Sequence, residues 1–92
     1  MAGGCRTSGV LTSSAIVVTN QVILISIHAT EVAGAASIIK VFDGSDNTGK
    51  EVARLTLAAN QTIEFDMHGV ICRTGLYYEE TSGAAAVSIE FA

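Results

Sequence analysis

Lys40-Val41-Phe42-Asp43-Gly44-Ser45-Asp46-Asn47-Thr48-Gly49-Lys50 decides how this chain is read. An alternating apolar run stops at a cluster of Asp, Gly, Ser and Asn, and a second alternating run starts directly afterwards at Glu51. Asx side chains that bond their own backbone, together with glycine, are what a tight reversal requires. The stretch therefore predicts a β-hairpin, with Ser37 to Asp43 as one arm and Glu51 to Ala58 as the other.

The same grammar continues on both sides. Downstream, Ala59-Asn60-Gln61 is a turn signal, and Thr62 to Met67 alternates cleanly, predicting Ile63, Phe65 and Met67 inward with Glu64 and Asp66 outward. Gly69 to Cys72, the turn Arg73-Thr74-Gly75, and Leu76 to Thr81 read as strand, turn and strand. Ser82-Gly83 reverses the chain before a last alternating strand carrying Ala85, Val87, Ile89 and Phe91. Upstream, Ile16-Val17-Val18 and Val22 to Ala29 flank the turn Thr19-Asn20-Gln21. The second of these runs is apolar on both sides, which predicts a strand covered on both faces or buried between subunits. Residues 1–14, rich in Gly, Ser and Thr with one apolar pair at Val10-Leu11, read as a flexible amino-terminal arm, with a short strand at its end as the alternative, preceding a β-sandwich domain over 15–92. No helical period of any length is present. About seven or eight short antiparallel strands, with turns roughly every eight to twelve residues, predict an all-β single small sandwich of jelly-roll or immunoglobulin-like character.

Composition narrows the function classes. With 92 residues, an apolar content dominated by Ala, Val and Ile, and five aromatic rings, the core is expected to be thin. Modest stability as a monomer, or help from subunit contacts, follows. The net charge is −4, and Arg6, Lys40, Lys50, Arg54 and Arg73 are scattered, so no basic stripe is available for phosphates and no nucleic-acid partner is expected. The amino terminus lacks an apolar signal-peptide core and the longest apolar run, Val22 to Ile27, is far too short to span a bilayer as a helix. A soluble chain made in the cytoplasm, without a membrane partner, is the expectation. Cys5 and Cys72 then read as two reduced thiols, with a disulfide pinning the arm to the domain as the alternative.

Four motifs in this chain resemble a group of small bacteriophage virion structural proteins of similar length. They are a strand ending Val41-Phe42-Asp43, the turn Asp46-Asn47-Thr48-Gly49-Lys50, the strand Val52 to Asn60, and the Gly69 to Tyr77 segment with its Thr74-Gly75-Leu76-Tyr77. The resemblance covers residues 36–92, and the Thr74–Tyr77 segment with its spacing to the Asp43–Gly49 turn is its most specific part. It implies a virion component: a capsid decoration (cement) protein, or an accessory head or tail subunit. The implied partners are the major capsid protein or other virion subunits, and the implied location is the virion after synthesis in the host cytoplasm. A homo-oligomer, taken as a trimer from the architecture of shells, is expected. The resemblance implies no catalytic residues. The arm, about 40–45 Å if fully stretched at ~3.3 Å per residue, would then reach a neighbouring subunit. The rival class is a carbohydrate-binding or host-recognition module of a phage head or tail fibre.

His68 and Cys72 share a strand face but lie about 13 Å apart on an unbroken strand, too far for nucleophile and base. His28, His68, Cys5 and Cys72 match no compact zinc spacing. Asp43, Ser45, Asp46 and Asn47 lack the order of a calcium loop and are explained by the turn. Glu79 and Glu80 point to opposite faces, so they cannot flank one glycosidic bond, and they read as a solvated edge. No catalytic, metal or cofactor site is expected. The candidate interaction residues are Val10 and Leu11 in the arm and the pair Tyr77 and Tyr78, of which one should face the core and one the outside.

Overall fold

The computed structural model describes residues 5–92. Eight strands run β1 (Arg6–Leu11), β2 (Ala15–Val18), β3 (Val22–Glu31), β4 (Ser37–Asp43), β5 (Lys50–Leu57), β6 (Thr62–Cys72), β7 (Leu76–Ser82) and β8 (Ala85–Phe91). They form two four-stranded sheets, ordered β1-β8-β3-β6 and β2-β7-β4-β5, with every pairing antiparallel. Only β4 and β5 are consecutive neighbours within one sheet. Around their hairpin the remaining pairs are nested: β3 with β6, β2 with β7, β1 with β8. The molecule is thus one long antiparallel ribbon, folded at residues 44–49 and rolled into a sandwich, which is jelly-roll topology.

The core lies between the sheets. Leu24, Ile27, Ile39, Val41, Leu57, Leu76, Tyr78, Val87 and Ile89 are all fully enclosed. Each contributes on the order of 1.5–3 kcal/mol by burial. β8 shows the cause in its simplest form: Ala85, Val87, Ile89 and Phe91 are buried, with half-buried residues between them.

β3 departs from the expected two-faced strand for a local reason. Its pairing shifts between Leu24 and Ser26 against both neighbours: Ile25 is an extra residue against β8, whereas against β6 the surplus lies on β6, where Met67 to Gly69 face Ile25. The bulge moves the inward set from Val22 and Leu24 to Ile27, Ala29 and Glu31. The apolar run on both sides is therefore one inward face that changes phase, rather than two covered faces. The matching distortion on β6 falls at His68 and Gly69, with φ of 56° and 84°. There the two strands read as Thr62–Met67 and Gly69–Cys72 are one kinked strand. Glycine tolerates this left-handed conformation readily, and the Asp66 carboxylate steadies the other residue by accepting the His68 N–H at 2.8 Å.

Three further readings are corrected by position. Phe65 is on the inward side, opposite buried Ile27, yet remains 51% exposed because β6 is the sheet edge. Glu79 and Glu80 lie on β7, which sits between β2 and β4 rather than at the sheet's edge; they fall just beyond the β2 ladder, which ends at Tyr78, and there Ser14 Oγ accepts the Glu80 N–H at 3.0 Å. Of the stretch read as an arm over 1–14, residues 6–11 form β1 on β8. There Ser8 Oγ accepts the Ile89 N–H at 2.9 Å, and the Arg6 guanidinium lies 5.0 Å from the centre of the Phe91 ring. Cys5 is exposed, Cys72 is buried, and neither is in a disulfide.

Candidate functional site

Polar chemistry concentrates in three places. The first is the end of the sandwich where the ribbon folds. Asp43 closes β4 and its carboxylate accepts the N–H groups of Arg73 (2.9 Å), Thr74 (2.8 Å) and Gly75 (3.3 Å). Burial works against the charge, but these N–H groups and the nearby Lys50 ammonium outweigh it and hold the carboxyl below its ordinary value. Asp46 accepts the Thr48 hydroxyl and N–H inside the turn, and is likewise lowered. Gly75 is forced by space, since a Cβ there would lie 2.5 Å from the Val18 carbonyl oxygen. Of the residues that looked like part of a calcium loop, Asp43 and Asp46 are thus tied into the β6–β7 and β4–β5 turns, and Asn47 donates its amide to Glu79 on β7 at 3.0 Å. Among the described residues no three His, Cys, Asp or Glu side chains are grouped to hold a metal ion.

The second is Glu31, which sequence reasoning missed. It ends β3 as a buried carboxylate and accepts the N–H groups of Asn60 (2.8 Å), Ala33 (2.6 Å) and Gly34 (2.9 Å). The Asn60 N–H is the main cause of its lowered pKa, opposed by desolvation. Asn60 itself has φ 60°, so the side chain holds a strained turn. Nothing in Ala29-Thr30-Glu31-Val32 separates this glutamate from a solvated one at a strand end.

The third is the outer face of the β1-β8-β3-β6 sheet. Glu90 is its hub: it accepts the hydroxyls of Ser88 (2.7 Å), Ser26 (2.9 Å) and Thr7 (3.2 Å), and lies 2.7 Å from His28 Nε2. Glu64 approaches the same nitrogen at 4.0 Å. Burial raises the Glu90 pKa, but the hydroxyls of Ser88 and Ser26 and the His28 charge prevail and lower it. This is not a nucleophile–base–acid relay. Ser26 Oγ and Glu90 meet the same ring nitrogen, at 3.4 and 2.7 Å, whereas a relay uses both nitrogens. The cluster cross-links four strands; in sequence only the Ser26/His28 and Ser88/Glu90 alternation hints at it.

Of the sequence-derived candidates, Val10 is 70% exposed on edge strand β1, while Leu11 packs against the core. Tyr78 is fully enclosed and donates its hydroxyl to Glu80 (3.2 Å). Tyr77 is half-buried on the other face of β7, with its ring 6.3 Å from that of Phe42 and its backbone opposite exposed Ile16. His28 lies on the outer face of β3 while Cys72 is sealed on the inner face of β6, so the structure does not assemble the cysteines and histidines. His68 stands at the surface kink, away from the buried thiol. Sequence reasoning also missed a cleft of about 450 Å³ lined by Asp43, Lys50, Glu51, Val52, Ile71 and Arg73, because β5 and β6 are edges of different sheets. Comparisons with protein-family profiles, with curated proteins and with solved structures give no match to this chain.

Proposed function

We propose that this chain is a non-enzymatic structural subunit of a bacteriophage virion, acting as a capsid decoration (cement) protein that binds the major capsid protein. The observation that carries the reading is the division of labour among side chains. Asp43, Glu31 and Glu90 are spent on holding turns and strands together. Alongside its exposed charged residues the surface carries uncovered apolar side chains: Val10 on β1, Ile16 on β2, Ile23 on β3, Phe65 and Ile71 on β6, and Val32 just after β3. Scattered apolar exposure on several sides suits a small subunit packed among neighbours, including copies of itself in a trimer. Topology adds support by analogy, since jelly rolls recur in capsid proteins; they recur in lectins too, so the analogy is one of fold. The Thr74–Tyr77 segment and the Asp43–Gly49 turn, on which the phage resemblance rests, are joined here by Asp43, which gives their spacing a physical meaning.

The second reading is a glycan-binding or host-recognition module of a head or tail fibre. One observation favours it: Tyr77 is half-exposed on a sheet face opposite exposed Ile16, with its ring 6.3 Å from that of buried Phe42. Quantitative mass spectrometry of purified particles separates the readings. A copy number near that of the major capsid protein supports decoration, and a few copies to a few dozen supports fibre or vertex placement. Absence from particles overturns both.

A further inference from the structure

β6 is the longest strand of the chain and the outer strand of its sheet. From Thr62 to Asp66 its register with β3 is unbroken, and no strand pairs with its other side. The facing sheet ends at β5, which does not pair with it. On the inward side this leaves Phe65 half-uncovered between Ile63 and Met67, which do reach the core cluster. On the outward side Glu64 and Asp66 are exposed, at 69% and 64%. An unpaired edge carrying backbone donors and acceptors, an uncovered core-side aromatic and a two-residue acidic comb is a template for one more strand.

A second copy is a poor occupant. Antiparallel self-pairing of β6 centred on Phe65 sets Glu64 against Asp66, and centred on Glu64 sets that carboxylate against itself. Like charges directly opposite destabilise a sheet. The nearest groups able to offset them are histidines: His28 at 4.0 Å from Glu64 and His68 at 3.6 Å from Asp66. We infer that β6 is a docking edge for an extended segment of a partner protein in which apolar and basic residues alternate. Its apolar residues cover Phe65, and its Lys or Arg residues lie opposite Glu64 and Asp66. The kink at His68–Gly69, where both φ values are positive, ends the docking stretch, so about 17 Å of partner strand is read from Thr62 to Asp66 at ~3.4 Å per residue. The inference does not rest on the virion reading, because it specifies the partner by chemistry alone.

The test is residue-resolved amide hydrogen exchange of the full chain with three synthetic peptides: one alternating Val and Lys, one with the same residues in two blocks, and one alternating Val and Glu. The expected result is protection of alternate amides between Thr62 and Asp66 by the alternating Val–Lys peptide alone. The doubly reversed variant Glu64→Lys, Asp66→Lys should weaken that peptide by about tenfold or more and admit the Val–Glu peptide. Equal binding of the block peptide reduces the effect to bulk charge and overturns the proposal. So does protection centred on any other strand, or dimerisation through β6 in sedimentation. No protection at millimolar peptide does the same, and this arm uses the unaltered protein, so it holds whatever the variant's stability.

Discussion

Removing the Asp43 carboxylate should loosen two turns at once. In Asp43→Ala the N–H groups of Arg73, Thr74 and Gly75 lose their common acceptor. A hydrogen bond to a charged group is worth about 1.5–3 kcal/mol in a shielded setting. Here the Gly75 bond is long at 3.3 Å and the bonds from Arg73 and Thr74 lie at the surface, where water takes over part of the work. The expected loss is therefore about 2–3 kcal/mol rather than the full sum. For a domain of this size that lowers the melting temperature by about 10–20 °C. The charge itself is isolated by Asp43→Asn. The folded carboxyl sits below its ordinary value of 3.8, so its contribution is present above that pH and fades as the pH falls through the lower folded value. The gap between wild type and Asp43→Asn should thus be open at about pH 7 and narrow steadily as the pH is taken below about 3.8, measured by urea unfolding. A loss under about 0.5 kcal/mol in Asp43→Ala, or a wild type to Asp43→Asn gap that ignores pH, refutes the role assigned to this residue.

Cys5 should react with a thiol reagent in the native protein, whereas Cys72, whose thiol is pushed up to about 11 by burial and then by the Asp43 charge, should react only in denaturant. Gly75→Ala should cost about 1–3 kcal/mol in urea unfolding, because its Cβ would press on the Val18 and Gly44 carbonyl oxygens at 2.5 and 3.1 Å. Ser37→Ala should be neutral or stabilising in a thermal melt: the hydroxyl is buried without a partner, and losing it leaves no other group unpaired.

The hairpin at Asp43–Lys50 was legible because Asx and Gly chemistry is local, and the strand count followed from alternation. The placement of strands into sheets was not. Arg73-Thr74-Gly75 and Ser82-Gly83 look like hairpin turns, yet each carries the chain from one sheet to the other, and nothing in a short polar turn encodes which. The phase change at Ile25 was hidden because an extra apolar residue in an apolar run leaves no compositional mark. Phe65 was misjudged because alternation specifies a face but not whether the strand is central or at an edge. The sites fared similarly. That one tyrosine of Tyr77 and Tyr78 would be enclosed was readable from period alone. Asp43, Glu31 and Glu90 take their roles from partners far away in sequence, such as Asn60 for Glu31 and Ser26 for Glu90, which no local pattern reveals.

The nested ribbon also bears on how the chain folds in time. The contact between Asp43 and Lys50 closes a short loop, whereas that between Arg6 and Phe91 ties together the two ends of the molecule. Closing the outermost pair first carries the largest entropic penalty; closing pairs in order from the hairpin outward shortens each later search. Assembly is then expected to proceed like a zipper started at mid-chain, at the millisecond-to-second pace of non-local β topologies. Unzipping runs the other way: β1, last to join and at the rim of its sheet, is the first strand to detach. During synthesis, β1 to β4 emerge before any of their nested partners exist; β5 gives a partner to β4 alone, and β3, β2 and β1 wait in turn for β6, β7 and β8.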